Sequence, residues 1–186
     1  MPRLFTAIEI PDGLRALLAR LQMPLPGAKW VDSRNYHITL RFVGDVDNRT
    51  AGEFADFLAG IGSHAFEIKL SELGTFGGAE PKMIFAGLEP NELLEALARA
   101  HERAARQAGL PPEKHAFKPH VTLARLRHTD VSRVVRYLER FGAFRAEPFT
   151  PSRFVLMSSK PGVGGGPYVV EEAYPLLGWG YDYEEH

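Results

Sequence analysis

The chain has no cysteine among its 186 residues. This absence excludes disulfide scaffolds, thiolate zinc sites and cysteine nucleophiles. An excess of either charge is missing too, since 22 Lys and Arg against 23 Asp and Glu give a formal net charge of -1 with histidine neutral. This balance argues against a broad electrostatic grip on long nucleic acid, but it leaves room for a small pocket that takes a single phosphate.

Long apolar runs are also missing. No segment approaches the about 20 apolar residues of a membrane span, and Glu9 and Pro11 interrupt an N-terminal apolar stretch that is too short for a signal peptide. We therefore expect a cytoplasmic protein without membrane association. The length fits a single domain, and a hydrophobic content of 45% is ordinary for a globular protein. The sequence does not determine the oligomeric state, and a monomer is the simplest expectation.

Two short stretches of the chain nearly repeat each other. NYHITLRFVG occupies residues 35–44, and KPHVTLARLR occupies residues 118–127. Each contains histidine, an apolar residue, threonine and leucine, with an arginine close behind at Arg41 or Arg125. A hydrophobic core has little use for a histidine repeated in matched surroundings. A reaction that removes one proton and delivers another has a use for two such groups.

Apolar periodicity predicts the same order of elements twice, namely strand, helix, histidine strand, helix and strand. In the first half the other strands are predicted at 3–10 and 65–73, and the helices at 13–23 and 50–61. In the second half they are predicted at 83–88 and 154–158, with helices at 92–109 and 131–141 and a last strand at 168–172. This order predicts an internal duplication within a single domain over residues 1–186, with repeats that begin near residues 3 and 83. A pseudo-two-fold axis would then place one site between two lobes.

Side-chain alternation gives each histidine strand two distinct faces. His37, Thr39 and Arg41 are predicted to share one face, because the apolar residues between them form the core face. The second strand repeats this pattern for its histidine and threonine, but Arg125 is out of phase with His120. We therefore expect the two arginines to differ in function unless a β-bulge re-aims one of them.

The paired histidines and threonines fit chemistry at phosphorus. Imidazole is the side chain that serves as acid or base near neutral pH, so we predict His37 and His120 as the catalytic pair. Hydroxyl and guanidinium groups are suited to hold the phosphate oxygens. The predicted substrate-binding residues are Thr39, Thr122, Arg125 and Arg41. No metal or cofactor is predicted, because two histidines and two threonines fall short of the usual ligand set of a zinc ion.

Other readings of these residues are simpler. A single histidine on a strand is more often a satisfied surface or half-buried residue than a catalyst. Among the histidines outside the two stretches, four match no motif and are expected to be solvated, namely His64, His101, His128 and His186. The PGVGGG segment at 161–166 offers main-chain N–H groups to an anion. It lacks the Gly-Lys-Ser/Thr ending of a P-loop, so we expect a connection between two strands.

HITL at 37–40 and HVTL at 120–123 resemble the paired HxTx motifs of the 2H phosphoesterase superfamily. Within it, the chain is most similar to the RNA 2',3'-cyclic phosphodiesterases, formerly called 2'-5' RNA ligases. RLFTAIEIP at 3–11 resembles the opening of that family, and FKPHVTLAR at 117–125 resembles its second motif with the usual flank. The likeness runs almost from end to end.

The resemblance implies an α+β fold of two pseudo-symmetric lobes, each an antiparallel sheet with helices packed outside, and an active-site cleft between them. It also implies metal-free hydrolysis of RNA or nucleotide 2',3'-cyclic phosphate ends to 2'-phosphomonoesters. His37 is then the proton donor and His120 the proton acceptor, while Thr39 and Thr122 bind phosphate. Two alternatives remain. One is a reversible 2'-5' ligase acting on tRNA halves, for which no nucleotide triphosphate site is evident, and the other is a non-catalytic module that binds RNA ends.

Overall fold

The computed structural model describes residues 3–159 and 168–178. In chain order its elements are β1 Arg3–Glu9, α1 Asp12–Ala19, β2 Ala28–Trp30, β3 His37–Asp45, α2 Asn48–Ala59, β4 Leu70–Phe76, β5 Met83–Leu88, α3 Glu92–Gln107, β6 Val121–Leu126, α4 Val131–Phe141, β7 Arg153–Ser159 and β8 Tyr168–Pro175. The PGVGGG segment and His186 lie outside the described residues.

Most predicted elements are confirmed, and the differences have local causes. The strand predicted at 65–73 begins only at Leu70, because the preceding residues form isolated bridges such as that between Ile68 and Phe149. Helix α1 ends at Ala19 and not at residue 23, since the chain turns before Pro24. Strand β2 has only three residues, which is too short for apolar alternation to reveal.

The helices begin where short polar side chains cap them. Asp47 accepts a hydrogen bond from the main-chain N–H of Thr50 at the start of α2, and Asn91 accepts one from Leu94 at the start of α3. Gly109 follows α3 with a φ of 83°, the left-handed conformation that glycine adopts most easily after a helix. Strong local end signals explain why the predicted positions of these two helices are close to the observed ones.

The strands form one antiparallel sheet in the order β4-β5-β6-β3-β1-β7-β8, with β2 paired to β6. Its two halves join through β3 and β6, where the paired residues are Ile38 and Val121. These are the residues that follow the two histidines, and both are fully buried. The sheet therefore brings the two histidine motifs side by side at the junction between the lobes.

Each lobe contains a strand from the other half of the chain. Strand β4 follows the first histidine strand but pairs with β5, and β7 follows the second but pairs with β1. The lobes are therefore not the two halves of the sequence, although the exchange is the same in both directions. The fold is α+β with two lobes, as the sequence predicts.

His101 is buried, so its predicted exposure to solvent is wrong. It lies on the core side of α3, whose other buried residues include Leu94, Leu97 and Ala104. Its Nδ1 is 2.8 Å from the Thr6 hydroxyl oxygen. Burial lowers the pKa of His101 to about 3, so the ring is neutral and belongs to the core.

Within the described residues, none of the helices is both long and apolar enough to cross a membrane.

Candidate active site

A bulge in β3 changes which side chains face the cleft. Ala7 of β1 pairs with Thr39, whereas its neighbour Thr6 pairs with Arg41, so Leu40 is an extra residue on β3. A one-residue bulge reverses the alternation beyond it. Leu40 and Arg41 are consequently both buried, although they are adjacent on the strand.

The same bulge occurs in β6. Phe85 of β5 pairs with Thr122, and the neighbouring Ile84 pairs with Ala124, so Leu123 is the extra residue. Leu123 and Ala124 are both buried for the same reason. The two histidine strands therefore match in their sequence and in the position of their irregularity.

These bulges reverse the expected orientations of the two arginines. Arg41 was predicted on the face of His37, and this orientation is wrong because the Leu40 bulge turns it into the protein, where it is 7% exposed. Its guanidinium donates to the Glu102 carboxylate over 2.6 Å and to the main-chain carbonyls of Phe42 and Pro111. The geometry of Arg41 favours a structural role.

Arg125 is the arginine that the bulge directs into the cleft. It is exposed and lines a cavity of about 430 Å³ together with His37, Thr39 and Thr122. It is also near enough for its charge to lower the pKa of His37. An arginine from the second motif thus lies beside the histidine of the first. The β-bulge that the sequence analysis named as a condition for re-aiming an arginine is present in the structure.

Phe42 occupies on β3 the position that Arg125 occupies on β6. It is 51% exposed and lines the same cavity. It also lines an adjoining cavity of about 870 Å³ that extends to His120 and Phe76. Strict alternation from His37 would instead place Phe42 on the core face with Ile38. An alignment of the two stretches on their histidines was the available signal, because it puts Phe42 and Arg125 at the same offset.

Both histidines are oriented by the same main-chain contact. His37 Nδ1 donates to the carbonyl oxygen of Asn35 over 2.7 Å, and His120 Nδ1 donates to that of Lys118 over 2.7 Å. A carbonyl only accepts hydrogen bonds, so in the neutral rings the proton is on Nδ1. Nε2 is then the atom left for proton transfer in both residues.

The two threonines differ in their contacts. The Thr39 hydroxyl lies 3.0 Å from His37 Nε2 and donates to it when the ring is neutral. The Thr122 hydroxyl lies 3.5 Å from the Met83 sulfur. A thioether is a weak acceptor, so the Thr122 hydroxyl remains suited to an incoming phosphate oxygen.

Aromatic rings surround both histidines. Phe5 and Tyr168 lie 4.9 and 5.2 Å from the His37 ring, while Phe76 and Phe85 lie 5.0 and 5.6 Å from the ring of the second histidine. Apolar surroundings disfavour the charged form of imidazole. The rings therefore exclude water and weaken proton binding at both sites.

The pKa values of both histidines are lowered. For His37, burial is the main cause, the hydrogen bond to Asn35 opposes it, and the charges of His120 and Arg125 lower the pKa further. For His120, burial lowers the pKa and the hydrogen bond to Lys118 opposes it. Without a bound anion both rings are therefore neutral at pH 7, and each can accept a proton at Nε2.

The described ranges 3–159 and 168–178 contain no group of three or more His, Asp or Glu side chains placed as metal ligands would be. The site residues predicted from the sequence are distributed over two adjoining cavities. His37, Thr39, Thr122 and Arg125 line one cavity. Thr39, Arg41 and His120 line the adjoining one, where the buried Arg41 guanidinium is held by Glu102.

The two-lobed sheet with paired histidine motifs at its junction defines a phosphoesterase of the 2H class. The chain belongs to the LigT-like phosphoesterase family, whose sequence model matches residues 6–85 and again residues 87–168. The family resemblance found in the sequence is thereby confirmed.

Several relatives are RNA 2',3'-cyclic phosphodiesterases by name. The protein from Aeropyrum pernix is 35% identical over 132 residues, which are 69% of this chain and 73% of the relative. The protein from Methanocaldococcus jannaschii is 30% identical over 154 residues, which are 78% of this chain and 87% of the relative.

Solved structures share the fold. The crystal structure of E. coli LigT complexed with 3'-AMP has a TM-score of 0.78 at 22% identity, and the match covers 95% of this chain and 99% of LigT. The crystal structure of TT0787 from Thermus thermophilus has a TM-score of 0.76 at 24% identity, and the match covers 94% of this chain and 97% of TT0787. These likenesses establish the two-lobed architecture.

Proposed function

We propose that this protein hydrolyses the 2',3'-cyclic phosphate ends of RNA, or 2',3'-cyclic nucleotides, to 2'-phosphomonoesters without a metal ion. The observation that carries the proposal is the matched orientation of His37 and His120. Each ring is held by a carbonyl two residues earlier, at 2.7 Å, with Nε2 left for proton transfer. The relatives named RNA 2',3'-cyclic phosphodiesterase support the choice of substrate.

In the proposed reaction, water attacks phosphorus, the bond from phosphorus to the water oxygen forms and the bond to the 3'-oxygen breaks. His120, neutral because burial lowers its pKa, accepts the water proton at Nε2. His37 delivers a proton from Nε2 to the departing 3'-oxygen. These two transfers leave a 2'-phosphate and a free 3'-hydroxyl.

We propose that the bound substrate itself favours the protonated form of His37. Burial and the charge of Arg125 lower its pKa, whereas a phosphodiester anion bound beside it favours the imidazolium form. Protonated Nε2 no longer accepts from Thr39, so that hydroxyl is free to donate to a phosphate oxygen. Thr122 and Arg125 complete the group that we propose for the non-bridging oxygens.

The decisive experiment is turnover of a 2',3'-cyclic nucleotide with identification of the product isomer. We expect the 2'-phosphate, a rate unchanged by exhaustive chelation, and a loss of on the order of 10²–10⁴ in His37→Ala and in His120→Ala. A 3'-phosphate product would contradict the assigned leaving group. Loss of activity on chelation, restored by one divalent ion, would contradict the metal-free mechanism.

We also propose that residues 1–186 form one domain that arose by duplication. The family description matches two consecutive stretches of similar length, 6–85 and 87–168. The exchange of β4 and β7 between the lobes, and the bulges at Leu40 and Leu123, support the same conclusion.

A further inference from the structure

The cavity beside His37 contains a second guanidinium group, that of Arg3, which the proposed chemistry does not use. Arg3 is the first residue of β1, where it pairs with Asp45 of β3 and Ser159 of β7. Ser159 lines the cavity with it. Arg3 and Ser159 therefore form a polar end of the cavity that is separate from the group around the catalytic histidine.

One donor of Arg3, its Nε, is not used by the residues that the structure describes. Its Nε lies 3.9 Å from an Asp45 carboxylate oxygen, which is too far for a hydrogen bond. Among the described residues, none accepts a hydrogen bond from this buried Nε. The side chains of Arg3 and Asp45 are 40% and 50% exposed, and so open an ion pair contributes little to stability. Asp45 therefore does not engage the Arg3 Nε in a hydrogen bond.

An aromatic surface separates Arg3 from the catalytic group. Phe5 is two residues from Arg3 on β1, so both point to the same face with their Cα atoms about 7 Å apart. The Phe5 ring lies 4.9 Å from the His37 ring and 5.0 Å from the Tyr168 ring. Phe42, half exposed, is the partner of Phe5 on β3. The cavity thus runs from a cation, across aromatic rings, to the proposed phosphate site.

This order matches a nucleotide that carries phosphate at both ends. The reactive cyclic phosphate fits the end with His37, Thr39 and Arg125, and the base fits the exposed ring of Phe42, since Phe5 is itself buried beneath the cavity. A cavity of about 430 Å³ is within the size range of small-molecule sites. The remaining cation then lies where the 5' side of the nucleotide leaves the cavity.

We propose that Arg3 binds the phosphate on the 5' side of the terminal nucleotide, so that the site favours RNA ends over cyclic mononucleotides with a 5'-hydroxyl. The inference rests on the proposed function and specifies its substrate class. Guanidinium forms charge-assisted hydrogen bonds with phosphate oxygens, and the Arg3 side chain, 40% exposed at the cavity, presents such a group to a ligand. A phosphodiester of an RNA chain and a terminal 5'-phosphate both present anionic non-bridging oxygens to Arg3.

The test compares kcat/KM for three substrates: a nucleoside 2',3'-cyclic phosphate with a 5'-hydroxyl, the same compound with a 5'-phosphate, and a dinucleotide ending in the cyclic phosphate. We expect the second and third to exceed the first by about ten-fold, as a charge-assisted hydrogen bond implies. In Arg3→Gln this ratio should fall towards one. Asp45→Asn is the matched control, because it breaks the same ion pair but keeps the guanidinium, and it should preserve the ratio.

Each other outcome overturns a definite statement. A ratio near one in the unaltered protein, or an equal loss on all three substrates in Arg3→Gln, would overturn the 5'-phosphate site. A fall of the kcat/KM ratio in Asp45→Asn would overturn direct binding by Arg3, because the guanidinium is still present in that variant. A gain for the 5'-phosphorylated mononucleotide but not for the dinucleotide would overturn the preference for RNA ends. No turnover of any substrate by folded protein, checked by thermal unfolding, would instead refute the proposed function.

Discussion

Arg41 and Arg125 look alike in the sequence, and the structure predicts opposite consequences when each is replaced. Arg41 is buried, with its Nε 2.6 Å from the Glu102 carboxylate and two further donors on main-chain carbonyls. Arg41→Met keeps most of the side-chain volume but removes these bonds. Glu102 retains Arg106 at 3.0 Å, which reduces the cost. We expect a loss of about 2–4 kcal/mol in the free energy of unfolding.

For a chain of this length, that loss lowers the melting temperature by about 5–15 °C. Differential scanning calorimetry measures this change in melting temperature. Arg103→Met is the control, because Arg103 is an exposed arginine on α3, next to the Glu102 that Arg41 contacts. At a temperature where the variant is folded, Arg41→Met should retain turnover. Arg125→Met should show the reverse, with little change in melting temperature and a large loss of turnover. An unchanged melting temperature together with a raised KM in Arg41→Met would refute the structural role and restore the predicted contact with substrate.

Three further predictions concern the reaction itself. Thr39→Val and Thr122→Val should each lower turnover about ten- to a hundred-fold, with serine at either position retaining much of it, because a hydrogen bond to a charged oxygen is lost; wild-type rates in both valine variants would show that the threonines only form strands. On a substrate with sulfur at the 3' bridging position, His37→Ala should recover much of its lost rate and His120→Ala should not, since a thiolate leaves without an acid; the opposite pattern would exchange the two assignments. In Arg125→Gln, the NMR titration of His37 should move to higher pH, because a charge that lowers its pKa is gone, whereas His120 should shift less; an unchanged His37 titration would contradict the proximity of Arg125.

Local signals in the sequence were sufficient for much of the architecture. The capped helices α2 and α3 and the alternation around Ile38 and Val121 depend on neighbouring residues, so they could be predicted from spacing alone. The shared face of His37 and Thr39 also follows from alternation, because no bulge lies between them, and Val121 and Thr122 are likewise in regular register with β5. The family resemblance rests on these same residues.

Only the tertiary structure determined which way the side chains point beyond a β-bulge, because alternation predicts orientation only along a regular strand. Whether Leu40 or Leu123 forms a bulge depends on the register with β1 or β5, and that register involves residues far away in the chain. One extra residue exchanges the two faces of a strand, which buries Arg41 and brings Arg125 beside His37. The pairing of β4 with β5 and of β7 with β1 is non-local for the same reason.

The histidines themselves show the division most directly. The sequence contains a histidine at 37 and at 120, each followed by an apolar residue that alternation predicts on the core face. Only the folded sheet placed the two strands next to each other through Ile38 and Val121, surrounded the rings with aromatic side chains and so lowered both pKa values. The pKa of a histidine depends on its desolvation and on charges nearby in space. Both are properties of the packed protein and cannot be predicted from the sequence alone.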